Sequence, residues 1–166
     1  MTRIKTISRL FLLCAIAVCS TTYTSCRSKI RVTIHGNSME PTYKDGEIIF
    51  MQHYDNKDFS IERGDILLAK SPDNKIILKR CIAIPLDTIY MKSGFYYINS
   101  KKSNLFIDSF EKNTNMKELQ IITDFSPLII PHNNYYLSGD NVLFSHDSRH
   151  FGTIHESDII GIIKNK

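Results

Sequence analysis

A serine acts as a nucleophile only when a neighbour can take its proton, so the chemistry of this chain is sought in paired groups rather than single residues. The first candidate is Ser38, in Gly36-Asn37-Ser38-Met39-Glu40-Pro41-Thr42. A glycine two residues earlier lets the backbone turn sharply and frees N–H groups to face a developing oxyanion. Without a base, this is an ordinary loop with a serine in it. Six histidines invite a Ser-His-Asp arrangement, and His146-Asp147-Ser148 sets the three types side by side. Consecutive extended residues point to opposite faces, however, and triad partners arrive from separate segments. His146 and His150 have the i, i+4 spacing of helical metal ligands, but no helical apolar period surrounds them, so no metal site is expected.

Lys79 is the better base. It lies in Lys75-Ile76-Ile77-Leu78-Lys79-Arg80-Cys81-Ile82-Ala83-Ile84, which follows a Pro72-Asp73-Asn74 turn and reads as a strand. Alternation puts Ile77, Lys79, Cys81 and Ala83 on one face. An ammonium between apolar neighbours is desolvated, which favours the neutral amine over the free-lysine value of about 10.4. Neutrality near pH 7 costs about 4 kcal/mol and demands nearly complete burial. The competing reading is an edge lysine with its stem on apolar surface and its head in water. The third cluster, from Ser138-Gly139-Asp140-Asn141 to Phe151-Gly152, is dense in hydrogen-bonding side chains. There Ser145 can orient the lysine amine, while Asp147 and Arg149 can pair and fix the loop.

Something must hold these three clusters together. A chain of 166 residues suits one core. From Arg31 onward the apolar runs are of strand length: Arg31 to Ile34, Ile48 to Met51, Ile66 to Ala69, Ile76 to Ile84, Phe95 to Ile98, Leu119 to Ile122, Tyr135 to Leu137 and Ile159 to Ile163. Turn clusters such as Lys44-Asp45-Gly46 and Arg63-Gly64-Asp65 separate them. The fold class expected is mostly β. Residues Ser100 to Asp124 are polar and Lys/Asn-rich, so a variable lobe is placed around residues 100–130 of a catalytic domain spanning 27–166.

The first 26 residues carry Arg3, Lys5 and Arg9 and no acid, then an uncharged stretch from Leu10 to Cys26. This is the layout of an export signal or membrane anchor. Thr24-Ser25-Cys26 also approximates the end of a lipoprotein signal, so anchor, lipid attachment at Cys26 and cleaved signal all stay open. Arg27, Lys29 and Arg31 beyond the stretch offset the basic residues before it, and charge alone does not orient the chain. The formal net charge is +4, three of it in those first residues, leaving +1 for the rest. No Lys/Arg run follows Arg31, which argues against nucleic acid as a partner. Beyond Cys26 only Cys81 remains, so the domain has no internal disulfide.

In order, the three clusters resemble the sequence boxes of type I signal peptidases: S-M-x-P-T, then K-R, then G-D-N-x-x-x-S-x-D-S-R-x-aromatic-G. Ser38 to Thr42 fits the first, Lys79-Arg80 the second and Gly139 to Gly152 the third, and the resemblance covers most of residues 34–161. It implies a compact signal-peptidase-like β domain behind an N-terminal apolar membrane segment, located on the outer side of a bacterial cytoplasmic membrane. It also implies Ser38 as nucleophile, Lys79 as general base and the Ser38 N–H as part of an oxyanion hole in the turn with Gly36 and Asn37. Ser145 would bond the lysine, Asp147 and Arg149 would support the site, and Ile34, Met39, Ile77 and Leu78 would line pockets for small residues of an Ala-x-Ala kind. The partners implied are signal peptides of preproteins and the lipid bilayer, with no metal or cofactor.

The chain departs from the family at Leu86, where glycine is usual, at Val142, where arginine is common, and in its short lobe. A self-cleaving repressor would need a DNA-binding amino terminus in place of the apolar one. A penicillin-binding site has only Ser109-Phe110-Glu111-Lys112 in favour and lacks a Lys-Thr-Gly partner. Two alternatives remain: a catalytically idle β-domain lipoprotein acting as a binding module, and a peptidase dedicated to one specialised secreted substrate.

Overall fold

The structure, a computed structural model, describes residues 29–56, 59–104 and 124–165. The expected membrane segment, most of the lobe and the run from Leu119 to Ile122 lie outside the described residues. Within them, no helix is long and apolar enough to cross a membrane.

Runs rich in Ile, Tyr and Phe become strands because their branched and aromatic side chains pack on a pleated surface. Among the described residues there are eleven strands: β1 (Lys29–Thr33), β2 (Ile48–His53), β3 (Ile66–Lys70), β4 (Ile76–Ala83), β5 (Thr88–Lys92), β6 (Phe95–Ile98), β7 (Lys101–Lys102), β8 (Phe125–Ile129), β9 (Asn134–Ser138), β10 (Ile154–His155) and β11 (Ile159–Ile163). A single helical turn, α1 (Ser148–Phe151), sits between β9 and β10. The fold is mostly β, as expected. Seven strands form one sheet in the order β1-β2-β11-β3-β4-β9-β10, and four form another in the order β7-β6-β5-β8.

Two registers matter for the site. Thr33 pairs with Ile48, so the β1–β2 hairpin closes on the loop that carries Ser38. Arg80 pairs with Ser138, which delivers the glycine-bounded segment after β9 directly beside Lys79-Arg80.

The core falls into three clusters. One contains Leu67, Ala69, Cys81 and Leu137, with Ile77 packed against it. A second joins the sheets through Ile82, Ala83, Ile89, Tyr96 and Tyr136. A third gathers Ile34, Met39, Ile49, Met51, Ile66 and Leu68, with Leu78 at its margin. The strict alternation expected for β4 therefore fails at its end. A register shift between Cys81 and Ala83 puts consecutive Ile82 and Ala83 into the same cluster, since a bulge cancels the two-residue period.

Strands β5 and β8 were not expected, because Thr88–Lys92 mixes charge with apolar residues and Phe125–Ile129 contains Pro127. Proline is tolerated there because β8 lies at a sheet edge. Between β4 and β5, Ile84-Pro85-Leu86-Asp87 forms a turn closed by Asp87 N–H donating to the Ile84 carbonyl at 3.1 Å. Proline followed by a residue of positive φ is the type II pattern, and Leu86 occupies that second position at φ 71°. Glycine is favoured in this conformation, and leucine is strained in it.

Candidate active site

Ser38 is presented by a loop tightened at its base, where Ile34 N–H donates to the Glu47 carbonyl at 2.8 Å and Gly46 N–H to the Ile34 carbonyl at 2.9 Å. Gly36 turns the chain at φ 80°. Its N–H is not free for an oxyanion as expected, since it donates to Asp45 Oδ1 at 2.7 Å. Beyond it, Glu40 N–H bonds the exposed Asn37's carbonyl and Tyr43 N–H the Met39 carbonyl, with Met39 anchored in the third cluster. The Ser38 N–H has no acceptor among the described residues and stays open to a ligand.

Lys79 meets this loop. Its Nζ donates to Ser38 Oγ at 2.8 Å and to the Leu78 carbonyl at 3.0 Å. The residue is only 4% exposed, which disposes of the solvated edge lysine. Burial pushes the amine below the ordinary lysine value; Asp147 and Asp140 pull against this, and Arg149 adds to it. The arrangement holds a poorly solvated amine against a hydroxyl, the geometry in which a neutral lysine can take a serine proton.

Two buried ion pairs fix the surroundings. Arg80 donates through Nε and Nη2 to Asp140 at 2.8 and 2.6 Å, and through Nη1 to the Gly64 carbonyl at 2.8 Å. Asp140 also accepts from Thr42 Oγ1, so one carboxylate ties the serine loop to β4 and to the segment after β9. In the other pair, Arg149 donates Nε to Asp147 Oδ1 and Nη2 to Oδ2, both at 2.8 Å, and Nη2 also reaches the Val142 and Ser145 carbonyls. Asp147 is fully buried and further accepts from Gly139 N–H at 3.0 Å and Ser138 Oγ at 3.1 Å. Burial alone would raise its carboxyl, but the Arg149 guanidinium outweighs it and holds the group below the usual range. Shared, charge-assisted bonds of this kind rigidify a loop that would otherwise sample many turns.

Gly139 is the tightest point. A Cβ there would collide with Ser145 and with the Ser38 carbonyl oxygen, which itself accepts from Asn141 N–H at 3.0 Å. Ser145 packs at this point, yet its buried Oγ makes no hydrogen bond. The contact expected between Ser145 and Lys79 is therefore not made: the amine's bonds go to Ser38 and Leu78. Of the residues expected to form a substrate pocket, Ile34, Met39 and Leu78 share the third cluster, whereas Ile77 packs with the first and is separated from them. His146 and His150 stack with ring centroids 4.6 Å apart, and His150 Nδ1 accepts from Asp147 N–H within the cap of α1.

The family described as "Signal peptidase, peptidase S26" matches residues 3–165 of the chain. The chain belongs to the signal peptidase family. It is 34% identical over 139 residues to signal peptidase I V of Bacillus subtilis, covering 80% of this chain and 82% of that protein. It is 37% identical over 134 residues to signal peptidase I of Bacillus amyloliquefaciens, covering 79% and 69%. A crystal structure of a signal peptidase I from Enterococcus faecalis superposes with a TM-score of 0.55 at 25% identity, covering 64% of this chain and 98% of that one. The protein is thus a signal-peptidase-type serine endopeptidase. Thr42, Arg80, Ser138, Gly139 and Asp140 escaped the choice of site residues, although the three sequence clusters contained them. Arg80 follows Lys79, and strand alternation sends neighbours to different surroundings; only the pairing of β4 with β9 shows that Arg80 meets Asp140.

Proposed function

We propose that this signal peptidase removes signal peptides from exported proteins with Ser38 as nucleophile and Lys79 as general base. The observation that carries the assignment is the 2.8 Å contact between Lys79 Nζ and Ser38 Oγ, made by a buried lysine. Neutral Lys79 takes the Ser38 proton as Oγ attacks the scissile carbonyl, and the oxyanion is met by the open Ser38 N–H. The resulting ammonium returns its proton to the leaving amine. Water, deprotonated by the lysine, then hydrolyses the acyl-enzyme and frees Ser38. Gly36 and Asn37 shape the turn that aims Ser38, and Ser145, Asp147 and Arg149 hold the facing loop. Ile34, Met39 and Leu78 form a shallow apolar wall suited to small side chains before the cut.

The same reading assigns residues 1–26 to an export signal or membrane anchor and 27–166 to a catalytic domain outside the cytoplasmic membrane. Support comes from the uncharged stretch of Leu10 to Cys26 and from large apolar side chains left in solvent on the domain. Phe144 is 72% exposed in the segment that follows Asn141, and Phe50 is 62% exposed on β2.

The test is cleavage of a synthetic preprotein in detergent, with the cut located by mass, using wild type, Ser38→Ala and Lys79→Ala. Cleavage after a small residue by wild type alone is the expected result. A wild-type enzyme that cuts no preprotein, or a Lys79→Ala enzyme that still cuts, would remove the assignment.

A further inference from the structure

Tyr96 lies on β6 in the four-stranded sheet, away from both catalytic candidates in sequence, and is 2% exposed. Its ring packs edge-on to Tyr136 at 6.2 Å and to Phe125 at 6.4 Å. Its hydroxyl donates to Ser138 Oγ at 3.0 Å. Ser138 closes β9 and is wholly buried. Because its oxygen accepts from Tyr96, its own proton is turned toward Asp147 Oδ2 at 3.1 Å, with the Gly139 carbonyl 3.2 Å away.

A hydroxyl that receives a hydrogen bond becomes a stronger donor, so the two bonds reinforce one another in a dry setting. Asp147 in turn holds the Gly139 N–H at 3.0 Å, at the point where Gly139 packs against the Ser38 carbonyl, and its charge, like that of Asp140, favours the Lys79 ammonium while Arg149 opposes it. The groups that act on Asp147 are Arg149, His150 Nδ1 at 3.9 Å, the Ser138 and Ser145 hydroxyls and the Gly139 N–H, with Lys79, Tyr96 and Tyr136 acting through their charge or potential charge. Arg149 is fixed by three acceptors, leaving the Tyr96–Ser138 arm as the support that comes from the other sheet.

We propose that Tyr96, acting through Ser138, is a positioning residue for the Ser38–Lys79 pair: it fixes the Asp147 carboxylate that holds the Gly139 backbone against the Ser38 carbonyl. The inference rests on the dyad assignment above. Losing the arm leaves the carboxylate barer, which favours the ammonium form of Lys79 and reduces the fraction of enzyme holding a neutral base at low pH.

The experiment follows kcat/KM against pH for the full-length enzyme in detergent on a synthetic signal peptide, comparing wild type, Tyr96→Phe, Ser138→Ala and the double variant. Phenylalanine keeps the ring packing and removes only the hydroxyl. Tyr96→Phe is expected to cut about threefold less well on the acidic side, with the acidic limb displaced upward, the alkaline plateau retained and KM little changed. Ser138→Ala should displace the limb in the same direction, and the double variant should be no worse than Ser138→Ala, because both act through one arm. Profiles that superimpose on wild type, or losses that multiply in the double variant, overturn the inference. Should Tyr96→Phe fail to fold, an unmoved limb in Ser138→Ala overturns it equally. A Lys79→Ala enzyme that still cuts sinks the dyad and this inference together, whereas superimposed profiles in an enzyme that needs Lys79 sink the inference alone.

Discussion

Alanine at Gly139 adds one methyl group where the serine loop and the Ser145 segment touch. The new Cβ would lie well inside contact distance of both the Ser145 side chain and the Ser38 carbonyl oxygen. Ser145 can swing aside, since its hydroxyl holds no partner. The carbonyl cannot, because it belongs to the backbone of the nucleophile and is bonded to Asn141 N–H. Restoring ordinary contact requires the Ser38 backbone to retreat by about 1 Å, and a displacement of that size at a reacting group costs roughly 10²-fold in rate. The overpacking itself should cost about 2 kcal/mol, or roughly 6 °C in melting temperature for a domain of this size. Peptide cleavage followed by chromatography, paired with thermal melting, measures both. Adding Ser145→Gly removes the side-chain collision but not the backbone one, so the double variant should recover stability more than activity. A Gly139→Ala enzyme within fivefold of wild type, or a double variant restored to full rate, would refute the reasoning.

Burial of Lys79 gives a second expectation, on stability. Its folded-state pKa lies below the unfolded value, so the unfolded chain holds the proton more tightly. The penalty is full below the folded value and disappears as pH rises toward the free value of about 10.4. Lys79→Met should be inactive yet melt above wild type at pH 6, with the gain shrinking by pH 10; a gain that grows with pH would contradict this. Leu86→Gly should relieve the positive-φ strain of the exposed turn, offset in part by the freedom glycine adds to the unfolded chain. The net expectation is about 0.5 kcal/mol of added stability with unchanged cleavage, and a lowered melting temperature in a calorimeter would count against it.

The paired serine and lysine were legible in the sequence because their neighbours carry local signals: a glycine turn before Ser38 and apolar residues around Lys79. The strands rich in Ile, Tyr and Phe were legible for the same local reason. What could not be read is whatever depends on pairing. The bulge that moves Ala83 out of the Lys79 face has no marker in Cys81-Ile82-Ala83. Strand β5 acquires its apolar face only against β6, through pairs such as Ile89 with Ile98. The Arg80–Asp140 and Tyr96–Ser138–Asp147 contacts span separations of 60 and 42 residues and rest on the registers that place them. Ile77 was grouped with Ile34 and Met39 by the family resemblance, whereas the sheet gives its face to a different core.

The sheet order carries a consequence for how this enzyme comes into being. The serine hairpin ends at β2 and the lysine hairpin begins at β3, but these two strands do not pair with each other: β11 lies between them. The tie of Thr42 to Asp140 also waits for residues made after the lysine. A ribosome-bound fragment that already contains Ser38 and Lys79 thus holds both reagents without the frame that joins them. The frame around the pair is complete only when β11 slots between the hairpins, so a chain interrupted before that point is expected to be inert.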